Sequence, residues 1–191
     1  MQKRLENNTP DWLKKLRKDV LTVYWSLDEI DRIEHGKSLG LRCHESARVF
    51  QNILLELGNE NIEVIDGRFV NLNNKGMTHS WVEKIFDSIG SSVLIETTPN
   101  NPFIYPVIDK SDIIEKMVIL PWDKRISRYE PSDTKIILDY IKQKNEPLKV
   151  KQIEDLIEKI IAYLRQKNYL KLNTYAQTDS SQKQKRELSH S

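Results

Sequence analysis

The sequence predicts an α+β fold in which helices pack on a small antiparallel sheet. Two stretches, 10–35 and 43–57, carry apolar residues at three- and four-residue spacings. Between 62 and 98 lie three runs rich in Val, Ile, Phe and Thr, separated by Asn-, Gly- and Ser-bearing turns. After Pro106 the spacing becomes helical again.

In chain order, Trp12, Leu13, Leu16, Val20, Val23 and Tyr24 form the first amphipathic stripe, with Lys and Arg between them. Ser26 is placed to cap a second segment carrying Leu27, Ile30 and Ile33, and Gly36 and Gly40 break the pattern. The next helix opens at Cys43 and buries Ala47, Phe50, Ile53, Leu54 and Leu57, with Gly58 as its stop. Strands are predicted over Ile62–Asn71, Thr78–Phe86 and Ser92–Thr98, joined by a loop at Asn71–Gly76 and a hairpin turn at Asp87–Ser91. Pro99, Pro102 and Pro106 end regular pairing. The second half reads as mostly helical: a short helix at Asp112–Met117, one starting at Pro131, and a long amphipathic one through Val150, Ile153, Leu156, Ile157, Ile160, Ile161 and Leu164.

Residues 1–172 are thus expected to form one domain, with a core at about 38–100 and a helical part at 110–172; 173–191, polar and rich in Ser, Gln and Lys, reads as a disordered tail. The chain has 191 residues, enough to bury a core without disulfides or metals. Its net charge of +2, from 30 basic and 28 acidic residues, does not point to a nucleic-acid binder. In the C-terminal helices Lys149, Lys151, Lys159, Arg165 and Lys167 alternate with Glu146, Glu154, Asp155 and Glu158, the pattern of a solvated face more than of a helix-turn-helix. A single cysteine allows no internal disulfide and suits a reducing compartment. With no signal peptide and no apolar run of about 18 residues, the expectation is a cytoplasmic chain without a membrane span. No cofactor is expected, no metal-ligand spacing is present, and oligomeric state is not legible.

Three residues suggest chemistry. Cys43 sits where unpaired N–H groups and the helix dipole favour thiolate, although an isolated cysteine is usually a small buried hydrophobe. His79 opens a strand in which alternation puts His79, Trp81 and Glu83 on one face. In a hairpin centred between residues 87 and 89, Glu96 falls opposite some residue from 79 to 82; opposite 79 or 81 it shares the face of His79, and opposite 80 or 82 it does not.

Together these features resemble the transglutaminase-like core of the papain-like cysteine enzymes. The resemblance rests on Leu41-Arg42-Cys43-His44-Glu45-Ser46-Ala47, the turn Leu57-Gly58, the strand Ile62–Val70, His79-Ser80-Trp81-Val82-Glu83 and Ile95-Glu96-Thr97-Thr98-Pro99. It departs from the family in having Glu96 where aspartate is usual. It implies thiol-dependent acyl transfer (amide or peptide hydrolysis, or transamidation) on a peptide, protein or small amide. Cys43 would be the nucleophile, His79 the base and Glu96 the orienting acid. The oxyanion would lie near the Cys43 backbone N–H.

Trp81, His44 and Trp25 are candidate substrate-contacting residues. Trp25 is also a candidate second oxyanion donor, a core position being the ordinary reading of such a tryptophan. His44 lies next to Cys43, but neighbours on a helix point about 100° apart, which makes it a poor base and suits the cleft lining or the surface. The alternatives are a protein that keeps this fold for binding alone, and nucleic-acid binding by the C-terminal helices.

Overall fold

The computed structural model describes residues 9–35, 43–86, 91–101, 104, 113–143 and 150–170. The expected breaks at Gly36 and Gly40, most of the hairpin turn, Pro102, Pro106 and the polar tail lie outside them.

Helix α1 (Asp11–His35) is one helix, not two segments. Ser26 does not cap a new start: its Oγ donates to the Thr22 carbonyl at 2.6 Å, as serines inside helices do when the apolar stripe continues past them. That stripe buries Leu13, Leu16, Val20, Val23 and Ile30. Helix α2 (Cys43–Glu56) ends at Gly58, whose φ of +76° permits a left-handed turn. Gly58 N donates to Leu55 O and Asn59 N to Leu54 O, the paired bonds of a Schellman stop. Asn59 Nδ2 then donates to Asp19 Oδ2 at 2.9 Å, tying the end of α2 to α1.

Five antiparallel strands make one sheet in the order β4-β3-β2-β1-β5. They are β1 (Ile62–Val70), β2 (Gly76–Phe86), β3 (Ser91–Ile95), β4 (Val118–Ile119) and β5 (Tyr129–Pro131). Alternation gives the sheet two apolar faces. Ile62, Val64, Val82, Val93, Ile95 and Val118 join the helical core, including Ala47, Phe50, Ile53 and Leu54 of α2. Phe69, Trp81, Leu94, Ile119 and Tyr129 form a second cluster on the other face. Each large apolar side chain buried this way stabilises by about 1.5–3 kcal/mol, which is what seats α2 on the sheet.

The second half is less helical than expected. Helix α3 (Ile113–Met117) leads into β4, a 3-10 turn spans Lys124–Arg128, and β5 adds to the free edge of β1. Strands this short carry no readable alternation of their own. Pro131 pairs with Gly67 at the end of β5 instead of opening a helix. Helix α4 (Thr134–Gln143) begins three residues later, with Asp133 Oδ1 accepting from Lys135 N at 2.7 Å. Helix α5 (Val150–Gln166) buries Ile153, Leu156, Ile160 and Leu164 in the main core, as its spacing implied. No described helix is long and apolar enough to cross a membrane.

Candidate active site

Cys43 is the first residue of α2 and is 8% exposed. Its place is fixed from below and from one side. The buried stripe of α2 packs on β1 and β2, and Ser46 Oγ donates to Thr97 O at 3.0 Å, binding the first turn of the helix to the chain just after Glu96. Strand β3 stops opposite Val82, so the preceding residues of β2 lack a β3 partner. Near that end of β2, Cys43 Sγ lies 4.0 Å from the Thr78 carbonyl.

His79 and Ser80 are consecutive in β2 and so point to opposite faces of the sheet. His79 is fully buried, and its Nε2 lies 2.7 Å from Glu96 Oε2. Tyr129 Oη donates to the same oxygen at 2.9 Å, while Thr98 N and Oγ1 donate to Glu96 Oε1 at 2.7 and 2.8 Å. A carboxylate that already accepts from these three donors is held ionised, so His79 Nε2 carries the proton in the fourth bond. His79 Nδ1 is buried without a conventional hydrogen bond. It is therefore the nitrogen left for the Cys43 thiol, with which the ring interacts.

On the other face, His44 Nδ1 lies 2.5 Å from Ser80 Oγ, and Ser80 Oγ donates to Asp66 Oδ1. Asp66 and Ser80 are paired across β1 and β2. Arg48, one turn along α2 from His44, reaches Asp66 Oδ2 at 3.1 Å and His44 O at 2.9 Å. The surface position expected for His44 is incorrect: it is 7% exposed and interacts with Cys43. The 100° offset describes only how the Cβ atoms leave the helix. It does not anticipate two strand residues that draw the imidazole onto the sheet. Neither Ser80 nor Asp66 stood out in the sequence; the available signal was their even-numbered positions on the strand face that packs under α2.

Burial alone would raise the Cys43 thiol, but hydrogen bonding and positive charge from His44 and His79 bring it down to about 6. Burial would lower both imidazoles. Asp66 and Cys43 instead lift His44 to about 9, and Glu96 with Cys43 lifts His79 to about 10. Against the opposing effect of burial, Glu96 is lowered by His79 and Thr98. Asp66 is likewise held well below the usual carboxylate range by His44, Ser80 and Arg48. Together these shifts favour a thiolate flanked by imidazolium over a neutral thiol and neutral imidazoles.

Trp81 is fully buried, which corrects its expected contact with substrate. Its ring stacks on His79 with centroids 6.1 Å apart, meets Tyr129 edge-on, and donates Nε1–H to Glu83 Oε1 at 2.8 Å. It supports the imidazole from within the second apolar cluster. Trp25 is 48% exposed, so it is not a core tryptophan. Its described ring contact is with Tyr24, whose hydroxyl accepts from Asn100. Among the described residues no group of three or more His, Cys, Asp or Glu could hold a metal ion.

Compared with known proteins, the chain matches no family model, no curated protein and no solved structure.

Proposed function

We propose that this protein is a thiol-dependent acyl-transfer enzyme of the transglutaminase-like type, with Cys43 as nucleophile, His79 as proton carrier and Glu96 as the acid that orients it. The observation that carries this reading is the state of His79. Its Nε2 is clamped by a buried, four-fold bonded Glu96, and its Nδ1 is left open to the only thiol in the chain.

The Cys43 thiolate attacks the carbonyl carbon of an amide or ester. The carbonyl electron pair moves to oxygen, near the Cys43 backbone N–H at the start of α2. Collapse re-forms the C=O bond and breaks the bond to the leaving group, which takes the proton from His79 Nδ1. Water or an amine then attacks the thioester, returns a proton to His79 and releases thiolate. Glu96 holds the tautomer and stabilises the imidazolium throughout.

A protein that kept this fold for binding alone would gain nothing from ionised carboxylates backing imidazoles around a buried thiol, because burying such groups costs stability. A lone thiol suits reducing surroundings, which favours a cytoplasmic setting; the acyl donor this chemistry takes is a peptide, protein or small amide. An electrophilic amide-mimic probe tests the reading: it should label wild type at Cys43 and leave Cys43→Ala unlabelled. Equal labelling of the two would remove Cys43 from the reaction.

A further inference from the structure

We propose that His44 is a second catalytic imidazole, which works as the cation: Ser80 and Asp66 hold its Nδ1–H, so that Nε2–H is presented to the Cys43 sulfur and to the oxygen of the acyl group it receives. The inference rests on the acyl-transfer reading above and adds a group that the Cys-His-acid series does not contain.

That Nδ1 carries a proton follows from counting. A serine hydroxyl has one hydrogen, and Ser80 gives it to Asp66. Asp66 cannot supply a proton in return, because Arg48 pairs with its other oxygen at 3.1 Å. The 2.5 Å contact between His44 Nδ1 and Ser80 Oγ must therefore be donated by His44. Nδ1 is thereby committed, and Nε2 is the nitrogen available beside the adjacent cysteine. Asp66 lies 3.9 Å from His44 Nδ1, so the hydroxyl bridges the two instead of the carboxylate touching the ring.

The placement of these parts argues for a purpose beyond packing. Four polar side chains, His44, Arg48, Asp66 and Ser80, are assembled under the first turn of the helix that opens with the thiol. Ser80, Asp66 and His44 are 0%, 3% and 7% exposed. A histidine needed only to fill space could be satisfied by one backbone carbonyl, without burying a carboxylate and drawing a half-buried arginine to it. The same strand holds both imidazoles from its two faces: His79 by its own side chain, and His44 through the next residue.

The two rings divide the work. His79, with its open Nδ1, exchanges the proton. His44 works as the imidazolium, its Nδ1–H held by Ser80 and its second proton on Nε2; as the Sγ–C bond forms and the carbonyl pair moves to oxygen, that Nε2–H donates a hydrogen bond to the oxygen. When the C=O re-forms and the leaving group departs with the His79 proton, the bond relaxes and His44 has neither gained nor lost a proton.

Two reagents separate this role from a structural one, since iodoacetamide alkylation requires only a thiolate, whereas acylation by p-nitrophenyl acetate also develops an oxyanion. Wild type, His44→Gln, Ser80→Ala and His79→Gln would be compared with both reagents from pH 5 to 10, with melting temperatures confirming that each is folded. His44→Gln and Ser80→Ala should each raise the apparent thiol pKa by about one unit, and should slow acylation about tenfold more than alkylation. Ser80→Ala leaves both imidazoles and the thiol in place, so its shift reports the relay. If both variants superimpose on wild type with both reagents while His79→Gln loses activity, His44 is structural and the acyl-transfer reading stands without it. If wild-type Cys43 itself titrates like an ordinary thiol and is not acylated, both readings fall.

Discussion

Glu96 Oε2 lies 2.7 Å from His79 Nε2 although the two residues are not opposite each other in the sheet. Val82 pairs with Ile95, so continuing the register sets Glu96 opposite Trp81, on the same face as His79 but one diagonal away. Such diagonal neighbours have Cα atoms about 7–8 Å apart, a span suited to the longer glutamate side chain. The glutamate therefore fits the geometry it occupies.

Glu96→Asp should accordingly lose contact with His79, and Glu96→Gln should keep the reach but lose the charge. Both should move the thiol up from about 6 toward the ordinary range, read from the pH dependence of iodoacetamide labelling. Acylation by p-nitrophenyl acetate should fall by about two to four orders of magnitude in Glu96→Gln, as in triads that lose their acid. Unchanged labelling in both variants would place Glu96 outside the site.

Cys43→Ala should fold with a melting temperature within a few degrees of wild type, because the thiol is small and Ala47, Phe50, Ile53 and Leu54 seat the helix. Mass spectrometry should find no adduct with an electrophilic amide mimic. Calorimetry showing a large stability loss would reassign Cys43 to a packing role.

Alkylation and turnover should differ in their pH dependence. The thiolate forms as pH rises through about 6, so alkylation climbs there and then stays level. Acyl transfer also needs the imidazolium ions, and should fall as pH rises through about 9 to 10, where His44 and His79 lose their protons. A turnover profile that stays high past that range would show that no imidazolium proton is used.

Asp66 makes stability sensitive to acid. Its folded pKa is depressed below the ordinary 3.8, so its contribution is present above that value and lost as pH falls further. Glu96 acts in the same direction. Melting temperature should therefore drop below about pH 4. Asp66→Asn should be less stable than wild type at pH 7 and show a shallower acid decline, which thermal melts across pH would reveal.

Gly67 is a test of how the second face is assembled. A Cβ there would collide with the Glu130 carbonyl oxygen and come within 2.8 Å of Trp81 Cη2. Because β5 carries Tyr129 to Glu96, displacing it disturbs the acid as well as the packing. Gly67→Ala should cost about 1–3 kcal/mol, lowering the melting temperature by about 3–10 °C, and should slow thiol labelling near pH 6. A melt and a labelling rate equal to wild type would mean that β5 accommodates the methyl without moving Tyr129.

By itself the sequence determined the helices that carry long apolar stripes, the Gly58 stop and the three principal strands, because each is written in local periodicity and turn chemistry. It also singled out Cys43, His79 and Glu96 as residues able to meet, and left four registers open, two of which put Glu96 on the His79 face. Only the tertiary structure decided between those registers, because a one-residue slip changes no local propensity yet moves Glu96 to the other face. It likewise merged the two halves of α1, placed β4 and β5, and turned His44 inward. Each of these depends on contacts between residues far apart in the chain: Ser80 and Asp66 lie 36 and 22 positions from His44 yet meet it because β1 and β2 pair beneath α2. No local pattern encodes that meeting, which exists only once the sheet and the helix have packed together.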